Sequence, residues 1–365
     1  MRRRCGTALA AGLVAAVGAA ASEPAAAQSA AQSTVPFGPG VIYNYVMHNF
    51  DHPQDWQFFT TVASVSPDET VYTEDVVIPD TNGKPHKFLW RRAVSRREAA
   101  FGKIIDNGTT CNPGDTTDAW HRGGPLRMAS QRTYRELKTE GSAEVTIYVH
   151  YGCSKPYTVT GTVTRDKELA RIPILLNGQR LDLQAIHAQG ILGGFGGQYA
   201  EQFWILDDSI RPWVIRQEGK HEGQHYLQQL GTILAPDPEQ EKKLEQELEK
   251  DCRAPVYGIY FESASAEVNA VSRPTLQQIA AVMQRHADWT LTIEGHTDSI
   301  GGAASNLDLS NRRAAAVKTE LTSRFAVPAA RLATKGYGLT RPVETNATIE
   351  GRARNRRVEL TRVCK

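Results

Sequence analysis

From residue 36 to 233 apolar and polar positions alternate in short runs. "VIYNYVMHNF", "QFFTTVASVS", "VYTEDVVI", "FLWRRAV", "EVTIYVHY", "YTVTGTVT", "RIPILL", "RLDLQAI", "EQFWIL" and "WVIRQ" are rich in β-branched and aromatic residues. That is the signature of short, half-buried strands. Asn82-Gly83 and Asn177-Gly178 are two-residue hairpin signals, the second joining "RIPILL" to "RLDLQAI". The pattern predicts an antiparallel β domain over 36–233, a meander or partial barrel. Helix is expected mainly at "SRREAAFGKII", and the glycine-rich "GILGGFGGQ" reads as a flexible connection.

The pattern then changes twice. Prolines close the β region, and residues 234–253 form a charged helical linker in which Leu244 and Leu248 stand out as apolar, the pattern of a solvated spacer. From 254 to 365 strand and helix signals alternate. "VYGIYF" reads as a strand, and Pro274 opens a helix with Leu276, Ile279, Ala280 and Met283 at helical spacing. "WTLTIEG" is a second strand, followed by a long helix to about Phe325, then strands at "RLATKGYG" and "RRVELTRV". The predicted class is α+β: an N-terminal antiparallel β domain followed by a compact βαβαββ domain.

The long helix carries two stripes. Ser310, Ala314, Val317, Leu321 and Phe325 should pack on the sheet, while Asn306, Leu309 and Arg313 point along another azimuth, back over a Gly-rich loop holding Asp298. An acid and a guanidinium thus face each other across a shallow corner. Arginine's planar fork suits a carboxylate, and aspartate accepts from an ammonium. Two arrangements satisfy this spacing: an internal Asp298–Arg313 ion pair, or a zwitterionic ligand between them.

Composition narrows the setting. "MRRRCGTALAAGLVAAVGAAASEPAAAQ" has three arginines, an apolar run and small residues, which predicts a signal peptide over 1–27, cut after Ala27 or Ala21. Removing Arg2, Arg3, Arg4 and Glu23 from 42 basic and 40 acidic residues leaves 39 of each. A formally neutral mature chain gives no electrostatic case for nucleic acid or an anionic membrane. Cys111, Cys153, Cys252 and Cys364 remain, an even number that in an exported protein reads as two disulfides. Cys252 precedes one strand-like run and Cys364 follows another. If those strands are antiparallel neighbours their outer ends meet, which favours Cys252–Cys364 and Cys111–Cys153.

Three blocks in order, "IEGHTDSIGGAASNLDLSNRRAAAV", "RLATKGYGLTRPV" and "EGRARNRRVEL", resemble the OmpA-like C-terminal domain, shared with peptidoglycan-associated lipoproteins, over roughly 254–363. That resemblance implies non-covalent binding of peptidoglycan through the diaminopimelate of its stem peptide, a residue bearing the amino-acid group the corner calls for. Carried over by position, Asp298 takes the ammonium and Arg313 the carboxylate, with Thr297, Asn306 and Leu309 lining the site. Phe261 and Glu262 fall where the family's first strand opens onto the pocket; many relatives have Asp at the latter position. Asn355, Arg356 and Arg357 match the family's "NRR" end and read as mainly structural. The resemblance does not extend to 36–233.

The expected function is that of a non-enzymatic envelope protein, periplasmic or outer-membrane-associated, that anchors its β domain to the cell wall without cofactor or metal. The main alternative makes the β domain a porin-like outer-membrane barrel; short strands and the charges of Glu74, Asp75, Arg91 and Arg92 speak against an unbroken lipid-facing row. A weaker alternative is a zinc hydrolase through His221, Glu222 and His225 of "HEGQH". That chemistry needs a helix, and Gly219 and Gly223 predict a hairpin there instead.

Overall fold

A computed structural model describes residues 35–50, 52–79, 85–102, 104–105, 127–149, 157–194, 197–221, 224–262 and 265–364. The proposed signal peptide, Asn82-Gly83 and the Cys111–Cys153 pair lie outside the described residues.

Eleven strands make the first sheet: β1 (Ile42–Asn49), β2 (His52–Val65), β3 (Glu69–Pro79), β4 (Pro85–Ser95), β5 (Ile104–Ile105), β6 (Ser142–Val149), β7 (Tyr157–Leu176), β8 (Gln179–Gly194), β9 (Gly197–Leu206), β10 (Val214–His221) and β11 (Gln224–Leu234). Their order is β4-β3-β2-β1-β11-β10-β9-β8-β7-β6-β5, antiparallel except for the short β5–β6 pair. The sheet also curls until β11 meets β7 in parallel at Thr232↔Leu175. This is the expected antiparallel sheet, with β7 to β11 rolled into a ring and β1 to β4 continuing from it.

Asn177-Gly178 makes the turn that its sequence announces: Leu176 pairs with Gln179 around φ of +46° and +80°, both in the left-handed region a primed two-residue turn requires. "YTVTGTVT" and "RIPILL" are one strand, β7, not two. The "GILGG" segment is also strand, contrary to the expected flexible connection. Its glycines serve close approach: a Cβ on Gly190 would lie 2.3 Å from the Thr162 carbonyl oxygen of the neighbouring strand.

Two helices punctuate this sheet. α1 (Arg96–Phe101) starts at the expected place on a capping box of Ser95 and Glu98. α2 (Gln131–Thr139) was not expected; Ser130 caps it, and Thr133 and Leu137 are its buried positions. Two apolar clusters fill the sheet's interior, one around Tyr43, Tyr45, Phe58 and Trp213, the other around Leu137, Ile147, Tyr199 and Phe203.

The C-terminal part comprises α3 (Gln240–Lys250), β12 (Arg253–Val256), α4 (Arg273–Arg285), β13 (Leu291–His296), α5 (Ala303–Phe325), β14 (Leu332–Gly338), α6 (Ile349–Asn355) and β15 (Val358–Arg362). Its sheet order is β12-β15-β13-β14, with β13 and β14 parallel. The edge strand is "RAPV" and not "VYGIYF", because Gly258 at φ +95° breaks the extended run and leaves Phe261 only an isolated bridge to Val268. The charged helix forms where expected, but Leu244 and Leu248 are buried in the same core as Leu276, Met283, Ile293 and Leu321. Arg285 of α4 bonds Glu241 and Glu245 across the pair. It is a packed helix and not a solvated spacer. β12 runs antiparallel to β15, their outer ends meet, and Cys252 and Cys364 are joined there with Cα atoms 5.9 Å apart.

The two sheets touch along the β1–β2–β11 surface. Val46 and Leu227 bury against Ile349 of α6, and Phe59 meets Tyr260 edge-to-face at 4.9 Å. Beneath "HEGQH", β10 and β11 pair Lys220 with His225 and His221 with Gln224. The two histidines of the motif thus lie on paired strands, His221 at the end of β10 and His225 in β11, and not one turn apart on a helix.

Candidate functional site

Helix α5 lies unusually close to β13 because of what β13 lacks. A Cβ on Gly295 would stand 2.3 Å from the Ser310 carbonyl oxygen, so only glycine lets the backbones approach this far. Ser310, Ala314, Val317 and Leu321 are buried against the sheet as the first stripe demands. That docking carries Arg313 over the start of the C-terminal domain. Its Nε donates to the Ser265 carbonyl at 3.0 Å, and its guanidinium sits 4.8 Å from the centre of the Phe261 ring. No described residue accepts from its two Nη groups. Burial first, then repulsion from Arg356, bring the Arg313 pKa down to about 10, with Asp298 acting the other way.

Asp298 ends the β13 corner and is buried. It makes no ion pair with Arg313. Its Oδ1 accepts from the Ile300 backbone N–H at 3.0 Å, and its Oδ2 accepts from Arg356 Nη1 at 2.7 Å. The acid is therefore mated, but to a different arginine from the one that the internal-pair alternative names. Thr297 and Asn306 are buried struts of this loop: Thr297 Oγ1 donates to the Asp298 carbonyl and Asn306 Nδ2 to the Ile300 carbonyl. Leu309 is half-buried on α5. Glu262 accepts from Asn269 Nδ2 at 3.0 Å.

A cleft opens beside Arg313. Phe261, Gly295, His296, Arg356 and Val358 line it from the C-terminal sheet, and Asn44 and Gln57 from β1 and β2. Of the residues singled out in the sequence, Phe261, Arg313, Arg356 and Arg357 reach this cleft, and Asp298 joins it through Arg356. Thr297, Asn306, Leu309 and Glu262 are not among the lining residues.

The "NRR" end divides into separate tasks. Asn355 is fully buried and bonds the backbone of Val343 and Glu344, as a structural residue should. Arg357 is tied to Glu359 at 2.5 Å. Arg356 lines the cleft as Arg357 does, but its partners are Asp298 and a residue of the other sheet. Asp55 of β2 accepts a two-pronged bond from Arg352, at 2.9 Å from Nε and 3.1 Å from Nη2, and a third from Arg356 Nη1 at 3.2 Å. His48 Nδ1 stands 2.9 Å from the same carboxylate. Burial opposes the charge on Asp55, but the hydrogen bond from Arg352 and the fields of Arg356 and Arg352 outweigh it and hold the carboxyl below its ordinary range. Asp55 and Arg352 were not legible as site residues. The basic run "GRARNRR" was the available signal, but nothing marked a strand residue almost three hundred positions away as its partner.

Two acid–histidine groups could suggest a cation. Glu294, His296 and Glu359 are buried together, and Glu245, Glu249 and His286 lie near the surface. In the first, Arg253 and Arg357 already neutralise both carboxylates; in the second, Arg285 holds Glu245. A metal ion would have to compete with these guanidinium groups.

The corner is thus a cleft with guanidinium groups in its lining, built by a strand, a long helix and an arginine-rich helix end. Residues 260–356 match the model of the OmpA family, which makes the C-terminal domain OmpA-like. Over 101 residues, 28% of this chain and 29% of the relative, it is 43% identical to outer membrane porin F of Pseudomonas aeruginosa. Over 99 residues it is 38% identical to the peptidoglycan-associated lipoprotein of Agrobacterium fabrum, covering 27% of this chain and 55% of that one. Among solved structures, the peptidoglycan-associated lipoprotein of Burkholderia pseudomallei aligns over 29% of this chain and 88% of its own, with 31% identity and a TM-score of 0.27. The chain spans between about a third and a half of the length of the curated relatives it matches.

Proposed function

We propose that this protein is a non-enzymatic envelope protein whose C-terminal domain, residues 254–365, binds peptidoglycan without a covalent bond, recognising diaminopimelate. In this reading the domain tethers the β domain of residues 36–233 to the cell wall in the periplasm or at the outer membrane, after removal of residues 1–27. The observation that carries it is Arg313: a guanidinium held by one backbone bond and one ring, in the lining of a cleft, with no carboxylate partner among the described residues. A ligand carboxylate fits that fork, and the ligand ammonium takes the place of Arg356 Nη1 on Asp298 Oδ2. The OmpA-like domain and its likeness to peptidoglycan-associated lipoproteins support the choice of polymer. Selection is by charge placement, and weak single contacts gain strength by repetition along the wall.

The test is co-sedimentation of the mature chain with purified sacculi. Arg313→Ala and Asp298→Asn should each weaken binding about tenfold, the value of one charge-assisted hydrogen bond. Binding by both variants equal to that of the parent would remove the cleft from the account.

A further inference from the structure

The cleft is not open on all sides, and what covers it is part of the same chain. Asn44 and Gln57 of the N-terminal sheet line its rim. Tyr260 beside it meets Phe59 of that sheet edge-to-face at 4.9 Å. Above all, Asp55 presents a carboxylate to Arg352 and Arg356, and Arg356 simultaneously occupies Asp298. The Asp55 side chain is 5% exposed and those of Arg352 and Arg356 are 10% and 14% exposed, so water does little to screen these pairs. A carboxylate gripped by a two-pronged arginine beside Asp298 is the chemical likeness of the ligand proposed above.

We propose that Asp55 is a built-in competitor: the N-terminal sheet docks its own carboxylate on Arg356, at the edge of the wall-binding cleft, and sheet docking and ligand binding exclude one another. The inference rests on the wall-binding reading and adds its regulation. While Asp55 is seated, Arg356 is pinned between two acids and Asp298 Oδ2 has no room for an ammonium. Displacing Asp55 leaves Arg352 and Arg356 as two enclosed cations without an acid from β2, a state that favours separation of the sheets or entry of an outside carboxylate. The seam also has apolar contacts, Val46 and Leu227 on Ile349, Phe59 on Tyr260 and the Tyr257 ring over Gly178, and the ionic cluster of Asp55, Arg352 and Arg356 adds to them. A domain whose binding-competent state is only fractionally populated shows an affinity reduced by that fraction. The parent chain should therefore bind sacculi more weakly than its C-terminal site allows.

The experiment compares four full-length mature proteins for sedimentation with sacculi: the parent, Asp55→Ala, Arg313→Ala and the double variant Asp55→Ala/Arg313→Ala. Asp55→Asn, which keeps the shape and drops the charge, replaces Asp55→Ala if near-ultraviolet circular dichroism shows that the latter does not fold. The expected result is about tenfold tighter binding by the Asp55 variant, and loss of that gain in the double variant. If the Asp55 variant binds like the parent while Arg313→Ala weakens binding, Asp55 is a structural ion-pair partner only, and the competitor idea falls while wall binding stands. Should no variant sediment above background, both fall together. A gain that persists unchanged in the double variant also overturns the proposal, because the freed surface would then not be this cleft.

Discussion

Two imidazoles sit in contrasting surroundings. His225 is bonded to Glu218 at 2.7 Å and stacked on Phe50 near the surface. His296 is buried with neither ring nitrogen hydrogen-bonded, stacked on Tyr337. Burial, then the charge of Arg357, depress the pKa of His296 to about 4, against the pull of Glu359. The sign follows directly. Unfolded, the ring gains its proton near pH 6.5; folded, it stays neutral until about pH 4, so its contribution to stability is present above about 6.5 and lost as pH falls towards 4. Urea unfolding at pH 7 and pH 4.5 should show a drop of about 1–3 kcal/mol from this residue. His296→Phe should remove that drop; an unchanged pH dependence in the variant would show that the ring already titrates normally.

At the scale of elements, α3 shows how a residue pattern can be read correctly and placed wrongly. Its boundaries were evident from charge density and flanking prolines, but two leucines among eleven residues are too few to indicate packing. In the structure those two suffice, because α4 offers a matching apolar face and Arg285 adds bonds to Glu241 and Glu245. Leu248→Ala should cost about 2–4 kcal/mol in chemical denaturation, the range for a fully buried leucine. Lys242→Ala on its exposed side should change stability by less than about 0.5 kcal/mol. The same contrast explains which elements were legible. Alternation and helical stripes depend on near neighbours, so most strands and helices α1, α3, α4 and α5 were foreseen. α2 and α6 were missed, and α6 is defined by Thr348 capping Gly351 and by contacts to another sheet, which the sequence does not display.

At the scale of the molecule, Asp298 and Arg313 were singled out from spacing and resemblance, and in the structure they bond other partners, Asp298 to Arg356 and Arg313 to the Ser265 carbonyl. Asp55, Arg352 and the second duty of Arg356 were not found. Their encounter depends on the seating of one sheet on another, and no period or motif encodes that. The Cys252–Cys364 link was legible for the opposite reason: two strands that pair antiparallel bring known ends together. Replacing both cysteines by alanine should lower stability by about 2–5 kcal/mol, measured against the oxidised parent, because the closed loop spans 112 residues.

The same link has a mechanical meaning. Cys252 sits where the chain enters the C-terminal sheet and Cys364 where it leaves. A pull arriving from the β domain reaches this staple before it reaches β12, and it cannot peel β12 from β15 one hydrogen bond at a time. Load is passed into the central strands together, so a chain drawn taut between its two halves should give way at their seam, or at the packing of α3 on α4, before the C-terminal domain unravels.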